Sequence, residues 1–199
     1  MSASEPAHDA ELIQIVDAAL AEAARLSGDW LVCRPGCTQC CIGPFPINAL
    51  DAARLRRGME RLEREDAARS ARVRDRARSF IERLARDFPG DPATGMLEEG
   101  EAAEARFDDF ANDEPCPALD PETGCCDLYE ARPLTCRTFG PPLRCGPEAV
   151  AVCELCFDGA TEEQIAACEV TTNAGEMEDA LLAECGDCNR TIVAFALIY

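Results

Sequence analysis

Apolar residues at positions 12, 13, 16, 19, 20 and 26 recur at helical spacing, so Glu11 to Leu26 is predicted to form an amphipathic helix closed by Gly28. The period is lost between residues 33 and 46, where cysteines alternate with Pro35, Gly36, Gly43, Pro44 and Pro46, a composition suited to loop. Helical spacing returns from Asp51 to Phe88, first through Leu55, Met59 and Leu62, then through Val73, Ala77, Phe80, Ile81, Leu84 and Phe88. The register weakens across Asp66–Arg69, which allows either two helices or one bent helix, and Pro89-Gly-Asp-Pro92 ends the segment. Residues 91–115 are acidic, with Met96, Leu97, Phe107 and Phe110 as their large apolar groups, and are read as one short helix and loop. Turns and prolines then dominate up to Cys156. Thr161-Glu-Glu-Gln164 has the form of a capping box, which predicts a helix from Glu162 to about Val170. A further helix is expected over Glu176–Glu184, and the apolar run Thr191–Ile198 is either a buried strand or a closing helix. The fold class expected is mostly α, with little β and with long irregular cysteine-rich loops organised around a metal site.

Composition narrows what such a chain can do. Its 199 residues fit a single domain, with residues 1–10 as a flexible terminus. No apolar run reaches the roughly 18 residues of a membrane span, and the amino terminus lacks the basic start and apolar stretch of a secretory signal. A cytoplasmic location with reduced thiols is therefore expected, and disulfides are the less favoured use of the cysteines. The net charge of −19 makes nucleic acid and anionic membrane poor partners. All 19 basic residues are arginines, twelve of them between Arg54 and Arg86. Residues 51–88 thus form an Arg-rich helical segment, read as a solvated face laced with Glu–Arg pairs. Without lysine, a Schiff-base enzyme and a P-loop are excluded.

The chemistry lies in the fourteen cysteines. Cys33, Cys37, Cys40 and Cys41 fall within nine residues, and a second block runs from Cys116 to Cys156. Crowded thiols invite oxidation, whereas zinc and iron–sulfur clusters require several thiolates together. His8, the single histidine, lies in the terminal segment, so the ligands are expected to be all sulfur or sulfur with a carboxylate. Zinc ribbons use two separated Cys-x2-Cys pairs. The adjacent Cys40-Cys41 suits a polynuclear cluster better, because neighbouring side chains point in different directions. Cys33-x3-Cys37-x2-Cys40 also has the spacing found in radical S-adenosylmethionine enzymes. Gln39 replaces the aromatic residue usual there, however, and the chain shows hardly any βαβ alternation.

The run Cys33-Arg-Pro-Gly-Cys37-Thr-Gln-Cys40-Cys41 resembles the head motif of the CxxCxxCC proteins, also called YkgJ-type cysteine cluster proteins. The second block extends the likeness through Cys116-Pro-Ala-Leu119 and Cys126-Asp-Leu-Tyr129-Glu-Ala-Arg132-Pro133-Leu-Thr-Cys136-Arg137. The resemblance spans most of residues 30–198, including the ending Ile192–Leu197, and is distantly shared with flagellin lysine-N-methylase. It implies chelation of zinc or iron through about eight cysteines. Those matched are Cys33, Cys37, Cys40, Cys41, Cys116, Cys126 and Cys136, with Cys156 preferred over Cys145 and Cys153 as the eighth. Cys125 is a neighbour of the set, and Cys168, Cys185 and Cys188 stand outside it.

Arg132 and Arg137 are expected to donate to the sulfurs and offset the charge of the thiolates. Alternatively, Arg132 pairs with Glu130 or Asp127. Tyr129 and Leu119 are expected in the core. The function expected is a metal-binding protein carrying an iron–sulfur cluster. The alternatives are a structural zinc-binding interaction module and an S-adenosylmethionine-dependent methyltransferase-like enzyme.

Overall fold

A computed structural model describes residues 8–144, 150–186 and 189–198. Cys145, Cys188 and residues 1–7 of the expected flexible terminus lie outside the described residues. In chain order the α-helices are α1 (Asp9–Ser27), α2 (Ala49–Glu65), α3 (Ala67–Leu84), α4 (Glu101–Asp108), α5 (Leu134–Thr138), α6 (Glu162–Ala166), α7 (Ala174–Cys185) and α8 (Val193–Ala196). Two-residue strands form two antiparallel ladders, β1 (Gly90–Asp91) with β2 (Met96–Leu97) and β3 (Leu143–Arg144) with β4 (Val150–Ala151). The expected helix-rich architecture with little sheet is what the chain adopts. It divides into two compact units, residues 1–34 with 134–186, and residues 35–133 with 187–199.

In the first unit α1 buries Leu12, Val16, Ala23 and Ser27, a stripe that packs against α5 and α7. Leu26, counted in the apolar pattern, is 45% exposed. The Ser27 hydroxyl donates to the Ala23 carbonyl, and the chain leaves the helix at Gly28, whose φ is positive. The capping box at Thr161 forms in full. Its helix nevertheless stops at Ala166, short of the expected Val170, because Val170 donates its backbone N–H to Pro142 and pairs with Leu143.

The second unit is built on the hairpin of α2 and α3. Asp66 decides that the Arg-rich segment is two helices. Its N–H bonds back to Leu62, while its carboxylate accepts from the Arg69 N–H and caps α3. Leu55, Met59, Leu62, Val73 and Ala77 form one core with Ala118, Leu128, Ala131 and α8. A second core joins Phe80, Phe88, Phe110, Ile192 and Phe195. The apolar ending uses both local forms considered for it. Thr191 and Ile47 exchange backbone bonds as an isolated bridge, and α8 follows. The segment read as one short helix and loop also contributes the β1–β2 ladder.

Gly58 on α2 lets the short turn Tyr129–Ala131 pack closely, since a Cβ there would lie 2.4 Å from the Ala131 Cβ. Near the start of α2, Arg54 donates to Asp51 at 2.6 Å, with both side chains almost fully buried. Removing one partner of a buried pair strands the other charge. Arg54→Leu should therefore lower unfolding stability by about 3–5 kcal/mol in a urea titration, and Asp51→Asn/Arg54→Leu by less. A double variant at least as damaged as the single one would contradict this.

Candidate metal centre

In the second unit, backbone pairing joins the two cysteine blocks. The Cys116 N–H donates to the Cys41 carbonyl at 2.7 Å, Ile42 bridges Pro115, and the Gly43 N–H donates to Glu114 at 2.8 Å. Gly43 has φ +79°, and a Cβ on it would stand 3.3 Å from the Asn112 carbonyl oxygen, so glycine keeps the pairing close. Cys40 and Cys41 share a single 3-10 turn, Gln39–Cys41.

Residues 118–127 fold back as a miniature hairpin. Leu119 bridges Cys126, and the Asp127 N–H donates to Ala118. Within its loop the Asp120 carboxylate accepts from the Glu122 N–H and the Thr123 hydroxyl. The Cys125 thiol is directed to the Thr123 carbonyl at 3.7 Å, while Cys126 packs against the core. Adjacent residues of an extended segment face opposite ways, which separates the roles of these two cysteines.

The thiols of Cys40, Cys41, Cys116 and Cys126 lie within electrostatic reach of one another. The Cys41 thiol donates to Cys40, which lowers the Cys40 pKa to about 6 with help from the Arg132 charge and drives that of Cys41 upward. Burial pushes Cys116 up to about 12 and also raises Cys126. Among the described residues no three His, Cys, Asp or Glu side chains stand as a metal-holding group. The donor set suits a soft cation. Four neighbouring thiols that oppose joint ionisation become thiolates when a metal supplies the compensating charge.

Arg132 stacks its guanidinium 3.5 Å from the Tyr129 ring centroid and donates to the Tyr129 carbonyl, and its charge favours the thiolates of Cys40 and Cys126. Tyr129 is 57% exposed, correcting its expected place in the core, because the ring serves as the platform for that guanidinium. Leu119 is half-buried. Cys37 also belongs to the second unit.

Cys33, Cys136, Cys156 and Arg137 belong to the first unit. Arg137 is buried, and its Nη1 donates to both carboxylate oxygens of Asp17, at 2.7 and 3.0 Å. Cys156 lies with Cys153 and Cys168 in an aromatic cluster beside Trp30 and Phe157. His8 pairs with Glu11 beside α1.

The matching family model covers residues 32–168 and is described as a putative zinc- or iron-chelating domain. The chain belongs to the CxxCxxCC family. No curated protein and no solved structure gives a significant match. The family's chelating chemistry agrees with the thiol convergence around Cys41. Sequence reasoning missed Arg69 and Arg76, which hold the residue after Cys126, although their seven-residue spacing on one helix was a visible signal.

The opposed shifts predict an order of reactivity in the reduced, metal-free protein. Cys40 ionises as pH rises through about 6, whereas Cys116 keeps its proton until about 12. Iodoacetamide labelling followed by peptide mass analysis should therefore find Cys40 modified first at neutral pH. Its rate should climb between pH 5 and 7 and then level off, while Cys116 stays slow throughout. Faster labelling of Cys116 than of Cys40 at neutral pH would contradict this account.

Proposed function

We propose that this CxxCxxCC protein binds metal through thiolates of Cys37, Cys40, Cys41, Cys116 and Cys126, and that the metal is iron in an iron–sulfur cluster. The proposal is made on the second unit alone. The observation that carries it is the meeting of two sequence-distant cysteine blocks, with four mutually perturbing thiols and the Arg132 charge beside them. Adjacent Cys40 and Cys41 on one tight turn favour a polynuclear centre, since two neighbouring thiolates serve two metal atoms more readily than one. Zinc is the alternative. It would make the same loops a structural module, stabilised because ligation adds directly to folding free energy.

The protein's own part is to gather the sulfurs, offset their charge through Arg132 and fix the two loops against each other. A bound cluster would supply electron-transfer or Lewis-acid chemistry at this position. A reducing, cytoplasmic setting fits the cysteines, which are free thiols throughout the described residues. No helix among those residues is long and apolar enough to cross a membrane.

Anaerobic purification with iron, zinc and acid-labile sulfide analysis tests the reading. Brown protein with iron and sulfide is expected, with both lost in Cys40→Ser and in Cys126→Ser. Colourless protein with stoichiometric zinc and no sulfide would replace the cluster by the structural module. Protein retaining neither metal after anaerobic reconstitution would contradict both.

A further inference from the structure

We infer that Arg69, Arg76 and Asp127 are positioning residues that hold Cys116 and Cys126 ready for metal, an inference that rests on the reading of these cysteines as ligands. Arg69, Arg76 and Arg83 stand seven residues apart on α3, two helical turns from one to the next, so they form a single stripe. Arg69 and Arg76 reach into the second cysteine block, and Arg83 reaches the segment just before it. Arg69 Nε and Arg76 Nη2 each donate to a different oxygen of the Asp127 carboxylate, both at 2.5 Å. Arg76 Nε also donates to the Pro117 carbonyl at 2.8 Å, and Arg83 pairs with Glu114. Pro117 and Asp127 directly follow Cys116 and Cys126, so the stripe holds the backbone carbonyl of the residue after one cysteine and the side chain of the residue after the other.

Apolar packing and the polar grip act together. Cys116 and Cys126 pack against the core that holds Ala118 and Leu128, while Cys116 and Pro117 also line an open pocket of about 320 Å³ with Arg76, Ser79 and Phe80 of α3. The Asp127 side chain is only 3% exposed, and a carboxylate so withdrawn from water needs both partners. Arg76 acts as a fork, with one arm on a carbonyl and the other on a carboxylate, which a lysine ammonium cannot reproduce. Part of the run read as a solvated Glu–Arg face is therefore a cross-element clamp. Arg78–Asp75 retains the local character expected of such a face, whereas Arg74 pairs with Glu63 across the α2–α3 hairpin.

The test uses reduced full-length protein, zinc(II) as the probe and a competing chromophoric chelator. Asp127→Asn and Arg76→Gln should each weaken zinc binding about tenfold or more, the range for residues that orient metal ligands. Phe88→Leu, in the other core, serves as a destabilised control and should bind zinc as the parent does. Clamp variants that lose stability but bind zinc with parental affinity would reduce Arg69, Arg76 and Asp127 to a structural role and overturn the proposal.

Hydrogen exchange on the metal-free chain separates failure of the clamp from failure of the metal reading. The amides of Leu119 and Asp127, bonded to Cys116 and Ala118, should lose protection in Asp127→Asn while those of α2 keep theirs. Unchanged protection there overturns the clamp even if the parent binds metal. A parent that binds neither zinc nor iron sinks the metal reading instead.

Discussion

Cys41 is driven towards its neutral form by its bond to Cys40, and Cys116 and Cys126 by burial, while the backbone bond from Cys116 to Cys41 keeps the two blocks from separating. This tension governs the second unit. Thiols held together this way cannot all ionise in water-poor surroundings without a cation, and a thiophilic metal removes the conflict in one step. The remaining features read as provisions for it. Gly43 permits the close pairing, Arg132 adds a positive charge, and the hairpin of residues 118–127 sends Cys126 and Cys125 to different surroundings.

The charge distribution of the chain follows the same logic. An acidic protein that concentrates its arginines on one helical hairpin places cations beside the acidic residues that flank its second cysteine block. Exposed Arg–acid pairs contribute little individually. Asp127 differs because its carboxylate is buried and shared by two guanidiniums from a helix that is otherwise distant in sequence.

Helical periodicity was a reliable guide where burial is one-sided, as in α1, α2 and α3, and the Thr161 capping box marked a helix start correctly. What escaped the sequence depends on partners far along the chain. The helix after Thr161 ends early because Val170 finds Pro142, and Arg137 meets Asp17 across 120 residues. Asp66 could be read as a break or a bend until its carboxylate was seen capping α3. The cysteine blocks were legible as motifs, since their spacing is local. Their convergence is a tertiary property, made by a few backbone bonds around Gly43 and Cys116 that no periodic pattern encodes. Tyr129, expected to be buried, instead carries Arg132 on its exposed ring.

The central claim is that sulfur alone holds the metal. X-ray absorption at the metal edge of anaerobically isolated protein tests it most directly, because the first-shell scatterer identifies the ligand atoms whichever metal is bound. The account predicts a first shell of sulfur at about 2.3 Å, as for zinc–thiolate bonds, with an added metal–metal distance if the centre is a cluster. A first shell dominated by nitrogen or oxygen would contradict it.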